Sequence, residues 1–128
     1  MRCRILCLMV GLLLLASCSQ EVKTFPVSGT VSWNGKPIPE GVINFIAEDM
    51  AVAPDTGKIV NGKYETRVKA GRKKIEIYAH RAKKENAVMG QGERENYIPP
   101  KFNALSTLIR EVKPEGENVF DFALSEKD

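Results

Sequence analysis

Histidine and cysteine, which form most transition-metal sites and many nucleophilic centres, are scarce in this 128-residue chain. His80 is the only histidine, and the three cysteines are Cys3, Cys7 and Cys18. A zinc site needs three or four histidine, cysteine or carboxylate ligands. A serine triad would have to use His80, and no serine lies in the glycine pattern of a nucleophile elbow. We therefore expect no metal site, no cofactor and no catalytic residues.

The chain also lacks a strong charge of one sign. Its formal net charge of +3 includes Arg2 and Arg4, so residues 18–128 carry only +1. A nearly neutral, mixed surface gives no reason to expect a nucleic-acid partner. No amphipathic helix, internal repeat or low-complexity tract stands out after residue 18. The remaining 111 residues have the usual size of one domain.

The first seventeen residues have the pattern of an export signal. Arg2 and Arg4 precede an apolar run over residues 5–16, and small residues follow that run. A basic start, a short apolar run and a small-residue cleavage site are typical of a secretory signal. The run is too short to span a membrane, which takes about 20 apolar residues.

Leu15-Ala16-Ser17-Cys18 resembles the lipobox of bacterial lipoproteins. The resemblance implies cleavage between Ser17 and Cys18 and acylation of the Cys18 thiol and amine, so that membrane lipid is a partner. Acyl chains contribute about 0.8 kcal/mol per buried CH₂, and two or three chains anchor a protein stably. The alternative is an ordinary secretory signal with a chance cysteine. Ser19, in place of the aspartate that retains enterobacterial lipoproteins in the inner membrane, favours the outer membrane, facing the periplasm or the cell surface.

After the lipobox we expect a lipidated tether over residues 18–24, a β-domain over residues 25–125 and a tail over residues 126–128. The tether is short and polar, and it reaches only about 20 Å even when fully extended. The domain is therefore expected to lie close to the membrane.

Alternation with a period of two predicts strands along most of the domain. Val27, Gly29, Val31 and Trp33 share one face of the first strand, which is typical of a half-buried strand. Asn-Gly pairs at 34–35 and 61–62 predict tight hairpin turns. The predicted strands cover residues 25–33, 42–46, 58–60, 63–68, 74–79, 107–112 and 119–124, with loops at 48–57 and 81–96 and an extended stretch at 97–102. This pattern favours a seven-stranded antiparallel β-sandwich.

Turn and core signatures recur along the chain: Pro26-Val27-Ser28-Gly29-Thr30-Val31, Asn34-Gly35-Lys36-Pro37-Ile38-Pro39-Glu40-Gly41, Phe45-Ile46, Asn61-Gly62-Lys63-Tyr64, Ala70-Gly71, Ile98-Pro99-Pro100-Lys101-Phe102-Asn103, Ser106-Thr107-Leu108 and Asn118-Val119-Phe120-Asp121-Phe122. Together these segments resemble the carboxypeptidase regulatory-like domain in the form found in small planctomycete lipoproteins. The resemblance implies a transthyretin-like (prealbumin-like) sandwich and no peptidase activity. Lys73 departs from the family, which usually carries an aromatic two residues after the glycine matched by Gly71.

Polar candidates for a ligand site each have a simpler interpretation. His80 has no second histidine or cysteine to share a metal, so we expect a surface residue at a strand end. Glu48, Asp49 and Asp55 offer oxygen ligands for calcium, but they lack the regular spacing of a calcium loop. A solvated acidic loop is the favoured interpretation.

Two aromatic residues and one basic cluster remain. Trp33 shares a face with core residues, so burial is favoured over sugar stacking, whereas Tyr97 beside the proline pair fits either role. Arg81, Lys83 and Lys84 would suit anionic lipid headgroups. Glutamates follow closely, and a solvated loop is favoured there too.

The function expected from the sequence is that of a lipid-anchored, non-enzymatic β-sandwich module of the bacterial cell envelope, acting in binding, adhesion or structure. Its partner is expected to be an envelope protein or a glycan, and an exposed edge strand would allow strand addition by the partner. The alternative is a carbohydrate-binding module displayed at the membrane, with Tyr97 as the ligand contact.

Overall fold

The computed structural model describes residues 21–83 and 93–128, which form β-structure and its connections. The predicted signal at 1–17, including Ser17, and the lipidation residue Cys18 lie outside the described residues. A 3-10 turn at Pro100–Phe102 is the one helical element within them. No helix in this part of the chain has the length and apolarity to cross a bilayer. The strands are β1 (Thr24–Trp33), β2 (Lys36–Pro37), β3 (Glu40–Ala47), β4 (Asp55–Val60), β5 (Lys63–Lys69), β6 (Gly71–Ala82), β7 (Arg94–Asn96), β8 (Ile109–Val112), β9 (Asn118–Val119) and β10 (Phe122–Leu124).

Seven of these strands follow one another through a curled sheet in the order β10, β1, β5, β4, β3, β6, β7. The neighbours are antiparallel except for β1, which pairs in parallel with β10 and also with β9. The short strands β2 and β8 attach to β1 and β6. The predicted all-β fold with an antiparallel sheet is therefore confirmed.

Both Asn-Gly pairs form the tight turns that the sequence predicts. Asn34 and Gly35 have φ angles of 49° and 80°, and Asn61 and Gly62 have φ angles of 51° and 75°. Two consecutive positive φ angles are the requirement of a type I′ hairpin turn. The first turn joins β1 to β2, and the second joins β4 to β5.

The core follows the predicted alternation. Val27 and Val31 of β1 are buried, as are Ile75, Ile77 and Ala79 of β6. Burying such side chains is the main favourable contribution to folding, at roughly 25 cal/mol per Å² of apolar surface. The other buried apolar residues are Ile38, Ile43, Phe45, Ile59, Tyr64, Val68, Ile98, Phe102, Val112, Phe122 and Leu124.

The predicted loop at 81–96 is wrong at both of its ends. β6 continues to Ala82, and β7 pairs with it so that His80 lies opposite Asn96 and Ala82 opposite Arg94. Charged residues form these arms, so hydrophobic alternation does not reveal them. Likewise, β4 begins at Asp55, inside the loop predicted for 48–57.

The proline pair also behaves differently from the prediction. Pro99 is extended, but Pro100 begins a short 3-10 turn rather than continuing an extended stretch. Proline is tolerated in the first turn of a helix because the N–H that it lacks has no helical partner there. The turn directs Phe102 into the core.

The predicted final strand is interrupted at Phe120 and Asp121, between β9 and β10. The Phe120 carbonyl points at Gly29, where a Cβ atom would lie only 1.8 Å from that oxygen. The Tyr64 hydroxyl donates to the same carbonyl at 2.7 Å. The Asp121 carboxylate accepts from the Thr30 N–H at 2.9 Å. At the interruption, a side-chain acceptor thus replaces the backbone carbonyl that a continuous strand would provide.

Between β8 and β7, the edge of β6 has no neighbouring strand among the described residues, and two asparagine side chains form hydrogen bonds with its backbone there. The buried Asn103 amide donates to the carbonyls of Ile77, Ile98 and Pro99 at 3.0–3.3 Å. The Asn96 side-chain oxygen accepts from the Ala79 N–H at 3.1 Å. An unpaired sheet edge invites pairing with another chain, so these contacts both hold the 97–103 segment and cover the edge.

Replacing Asn103 with alanine should destabilise the fold strongly. Asn103→Ala leaves buried carbonyls without donors, which costs about 1–3 kcal/mol. Urea unfolding followed by the fluorescence of Trp33, the single tryptophan, measures the change. Thr107→Ala, at an exposed position a few residues away, is the control and should change the free energy of unfolding by less than about 0.5 kcal/mol. Equal effects of the two substitutions would contradict this role of Asn103.

The Tyr64 hydroxyl should make stability depend on alkaline pH. Burial, followed by the Asp121 charge, raises the pKa of Tyr64 above the ordinary value of about 10. The contribution of Tyr64 to the free energy of unfolding is therefore fully present below pH ~10. It is lost as the pH rises further, because this tyrosine ionises in the unfolded chain before it ionises in the folded one. The loss reaches about 1.4 kcal/mol per pH unit.

Tyr64→Phe removes this dependence together with the hydrogen bond to Phe120. The variant should be less stable by about 1 kcal/mol at pH 8. The difference in free energy of unfolding between the two proteins should become smaller as the pH rises above about 10. Only the unsubstituted protein then loses the stability that the protonated Tyr64 hydroxyl contributes. Chemical denaturation at a series of pH values gives both curves. Parallel curves would show that Tyr64 is not the titrating group.

Candidate functional site

The structure fixes where the proposed tether enters the fold, although Ser17 and Cys18 themselves lie outside the described residues. Thr24, the first residue of β1, pairs with Lys69 at the end of β5. The Arg67 guanidinium donates to the Thr24 carbonyl at 2.6 Å and to its hydroxyl at 3.1 Å. The chain is thus held by hydrogen bonds from Thr24 onward.

His80 lies exposed on β6, as the sequence predicts. It borders an open depression with Glu40 and Arg94, where the Arg94 guanidinium donates to Glu40 at 2.9 Å. This hydrogen bond and the positive charge lower the pKa of Glu40. Within residues 21–83 and 93–128, no three histidine, cysteine or carboxylate side chains come together as metal ligands.

The three carboxylates considered for calcium have separate structural partners. Asp55 accepts from the Lys69 ammonium at 2.6 Å and from the Lys69 N–H at 2.9 Å, and both side chains are largely shielded. Glu48 pairs with Arg72 at 3.2 Å, in solvent. Asp49 accepts from the Ala51 N–H within the loop. This arrangement favours structural roles, with Asp55 closing the space between β4 and β5.

None of the nine aromatic side chains, all of which lie in the described part of the chain, is an exposed platform. Trp33 is half-buried and meets Phe102 edge-on, with the ring centres 6.1 Å apart. Tyr97 is also half-buried, and the Arg81 guanidinium lies 5.1 Å from its ring centre. Burial raises the pKa of Tyr97. Sugar stacking on the ring face that Arg81 covers would require Arg81 to move away.

The basic cluster is neutralised by neighbouring glutamates across the β6–β7 hairpin. Arg81 donates to Glu95 at 2.8 Å, and Lys83 donates to Glu93 at 2.8 Å. The second pair raises the pKa of Lys83 and lowers the pKa of Glu93, mainly through the hydrogen bond. Lys84 lies outside the described residues. These pairs are typical of a solvated surface hairpin.

Lys73, which departs from the family pattern, occupies an inward position of β6. It is only 3% exposed and continues the row formed by Ile75, Ile77 and Ala79. The aliphatic part of a lysine side chain packs well against apolar neighbours. The departure therefore changes one contact at the end of the core and leaves the strand in place.

One surface feature was not found from the sequence: an open cleft of about 560 Å³ on the outward side of β1, β5 and β4. Lys58 and Lys63 contribute positive charge, and Glu65 and Asp121 contribute negative charge. The exposed Val60 and Val119 add apolar surface. Polar and apolar groups in alternation on an open surface suit another protein surface better than an enclosed small molecule.

Strand addition at a free edge receives little support. β7 and β10, at the two ends of the strand order, contain three residues each, and β8 contains four. Short edge strands are one of the ways in which proteins prevent pairing with another chain. The mixed cleft is therefore the better candidate surface for a partner.

No family model matches this chain, and no curated protein or solved structure matches it either. The family resemblance consequently rests on the residues quoted above.

Calcium should leave the stability of the protein unchanged, because Asp55 and Glu48 are held by cations of the chain itself. We expect no shift in Tm on addition of millimolar calcium, the range in which extracellular calcium modules bind. Asp55→Ala should lower the free energy of unfolding by about 1–3 kcal/mol with or without calcium, because the shielded Lys69 groups lose their acceptor.

Glu48→Ala is the matched control for that substitution. Its ion pair with Arg72 is exposed, so its loss should cost no more than about 1 kcal/mol. Thermal unfolding of the three proteins, with calcium and with a chelator, provides the measurement. A calcium-dependent rise in Tm that both substitutions abolish would contradict the structural roles and support a calcium site.

Proposed function

We propose that this chain is a lipid-anchored, non-enzymatic β-sandwich module of the bacterial cell envelope, and that it binds another envelope protein. The observation that carries the proposal is the short spacing between the lipobox and the fold. Cys18 is followed by β1 after only five residues. Such a spacing suits a domain that stays at the membrane surface.

The closing of the curled sheet around its core supports the sandwich. β4 and β5 share ladder pairs only at their hairpin, where Ile59 lies opposite Tyr64, and hydrogen bonds from the Thr66 hydroxyl and the Lys69 N–H link the two strands farther along. Trp33 of β1 meets Phe102, which lies beside β6, with the ring centres 6.1 Å apart. β1 and β6 thus face each other across the core, as the two layers of a sandwich do. This is the arrangement expected of a transthyretin-like domain, so it supports the regulatory-like family as well.

The surroundings of the polar candidate residues support binding rather than catalysis. Asp55, Glu48 and Glu93 each neutralise a nearby cation, and His80 lies beside the Glu40–Arg94 pair. The open cleft instead offers charges of both signs together with exposed valines. Such a surface matches the mixed character of protein interfaces that form and separate.

The carbohydrate-binding alternative has weaker support. Sugar recognition by sandwich modules depends on aromatic rings that stack on the sugar face. The described aromatics are at most half-exposed, and the Tyr97 ring is covered by Arg81 on one side.

Replacing the lipobox cysteine should release the protein from the membrane. Cys18→Ala removes the thiol that receives the lipid. The variant should therefore take up no radioactive palmitate, and it should no longer be recovered in the membrane fraction. Cys7→Ala is the matched control, since it removes a cysteine from the apolar run and leaves the lipobox intact. Labelled Cys18→Ala protein, or unlabelled native protein, would contradict the proposed anchoring.

A further inference from the structure

Four parts of the chain meet at the end of the sheet where β1 begins, which we call the N-terminal end. Thr24 lies opposite Lys69, which precedes the link from β5 to β6. Lys69 also donates to Asp55 and to the Ala53 carbonyl in the loop between β3 and β4. Gly71 lies opposite Val112, which leads into the link from β8 to β9. The N-terminal end therefore contains residues 21–23, 48–54, 70–72 and 113–117.

Three of the six large exposed apolar side chains of the described residues lie at this end. Met50 is 73% exposed, Val22 63% and Val52 44%. Met50 has a positive φ of 53°, which is uncommon for a residue with a side chain. Its N–H donates to the Ala47 carbonyl at 2.9 Å, so the turn holds it in this conformation. The loop thus presents an apolar side chain to solvent at some conformational cost.

Met50 is continuous with further apolar surface. It borders a groove of about 370 Å³ whose walls are formed by Ile46, Ala47 and Ile109, with Glu48 and Lys74 beside them. Exposed apolar surface that is held in place, rather than scattered, is typical of a surface that contacts a partner or a membrane.

We propose that the N-terminal end rests on the lipid bilayer, with Met50 and Val52 inserted at its surface. The proposal rests on the lipid anchoring at Cys18 proposed above. Two residues separate Cys18 from Glu21, and Thr24 lies six residues beyond Cys18, so the anchor is at most about 20 Å from the first strand. A tether of that length keeps this end at a high effective concentration next to the membrane.

The charge of this end indicates how the contact is made. It carries three cations, Lys23, Arg72 and Lys113, against five carboxylates, Glu21, Glu48, Asp49, Glu115 and Glu117. This net negative charge offers no attraction to anionic headgroups. The contact is therefore apolar and depends on the anchor, and it should form on neutral vesicles and persist at high salt.

A fluorophore that senses lipid tests the orientation. In the full acylated protein Cys18 is blocked, so Met50→Cys introduces a single thiol for labelling. Val60→Cys is the matched control, because Val60 is 56% exposed and lies at the opposite end, beside the Asn61-Gly62 turn. Both labelled proteins are reconstituted into phosphatidylcholine vesicles that contain brominated lipid. Quenching should be several-fold stronger at position 50 than at position 60.

The possible results separate the orientation from the anchoring. Vesicle-bound protein with equal quenching at the two positions would overturn the orientation and leave the anchor intact. Protein that does not sediment with vesicles, and whose native Cys18 takes the label, would overturn both. Shielding of position 50 that grows with protein density, and not with brominated lipid, would show that a second copy covers the patch and would also overturn the proposal.

Discussion

Hydrogen bonding along both edges of β1 is the constraint on which the rest of the structure depends. β5 pairs with residues 24–30 on one edge, and β9 and β10 lie along the other. The second edge closes only because Gly29 has no side chain, so that the Phe120 carbonyl occupies the space of a Cβ atom and accepts from the Tyr64 hydroxyl. The first and last strands of the domain are thereby joined. Because the proposed tether continues directly into β1, any force on the anchor acts on a strand held along both edges.

Twelve of the charged residues in the described ranges form ion pairs with neighbours in the fold. Lys69 and Asp55 link the ends of β5 and β4 farthest from their hairpin, and Arg81 and Glu95 join the two arms of the β6–β7 hairpin. Exposed pairs of this kind contribute little stability individually, whereas the shielded Lys69–Asp55 contact satisfies a backbone N–H as well. Charged residues that lie close together in the sequence thus form separate ion pairs with different partners in the fold. These contacts favour structural roles for the described residues of the acidic loop and of the basic cluster.

Local patterns in the sequence predict those parts of the fold whose cause is local. The inward rows of β1 and β6 and both Asn-Gly turns depend on residues within a few positions of one another. In the break at Phe120 and Asp121, the Asp121 carboxylate accepts from Thr30, which is 91 residues away, and no local pattern contains that contact. The same holds for Asn103 and its acceptor on Ile77, and for the cleft, whose walls come from separate strands. Among the candidate site residues, the exposure of His80 and the half-burial of Trp33 follow from alternation, whereas the cover of Arg81 over Tyr97 does not.

The proposed orientation and the mixed cleft restrict where a partner can bind. β1 contains ten residues and rises about 3.3 Å per residue, so the end with the Asn34-Gly35 turn lies roughly 30 Å farther from the bilayer than Thr24. The cleft includes Thr30, Lys63 and Val60, which lie toward that distant end. A partner would therefore meet the cleft from the aqueous side, while the apolar loop residues remain on the membrane side. With the two proposed surfaces separated along the strands, one domain would hold the membrane and a protein partner at the same time, since neither contact would cover the other.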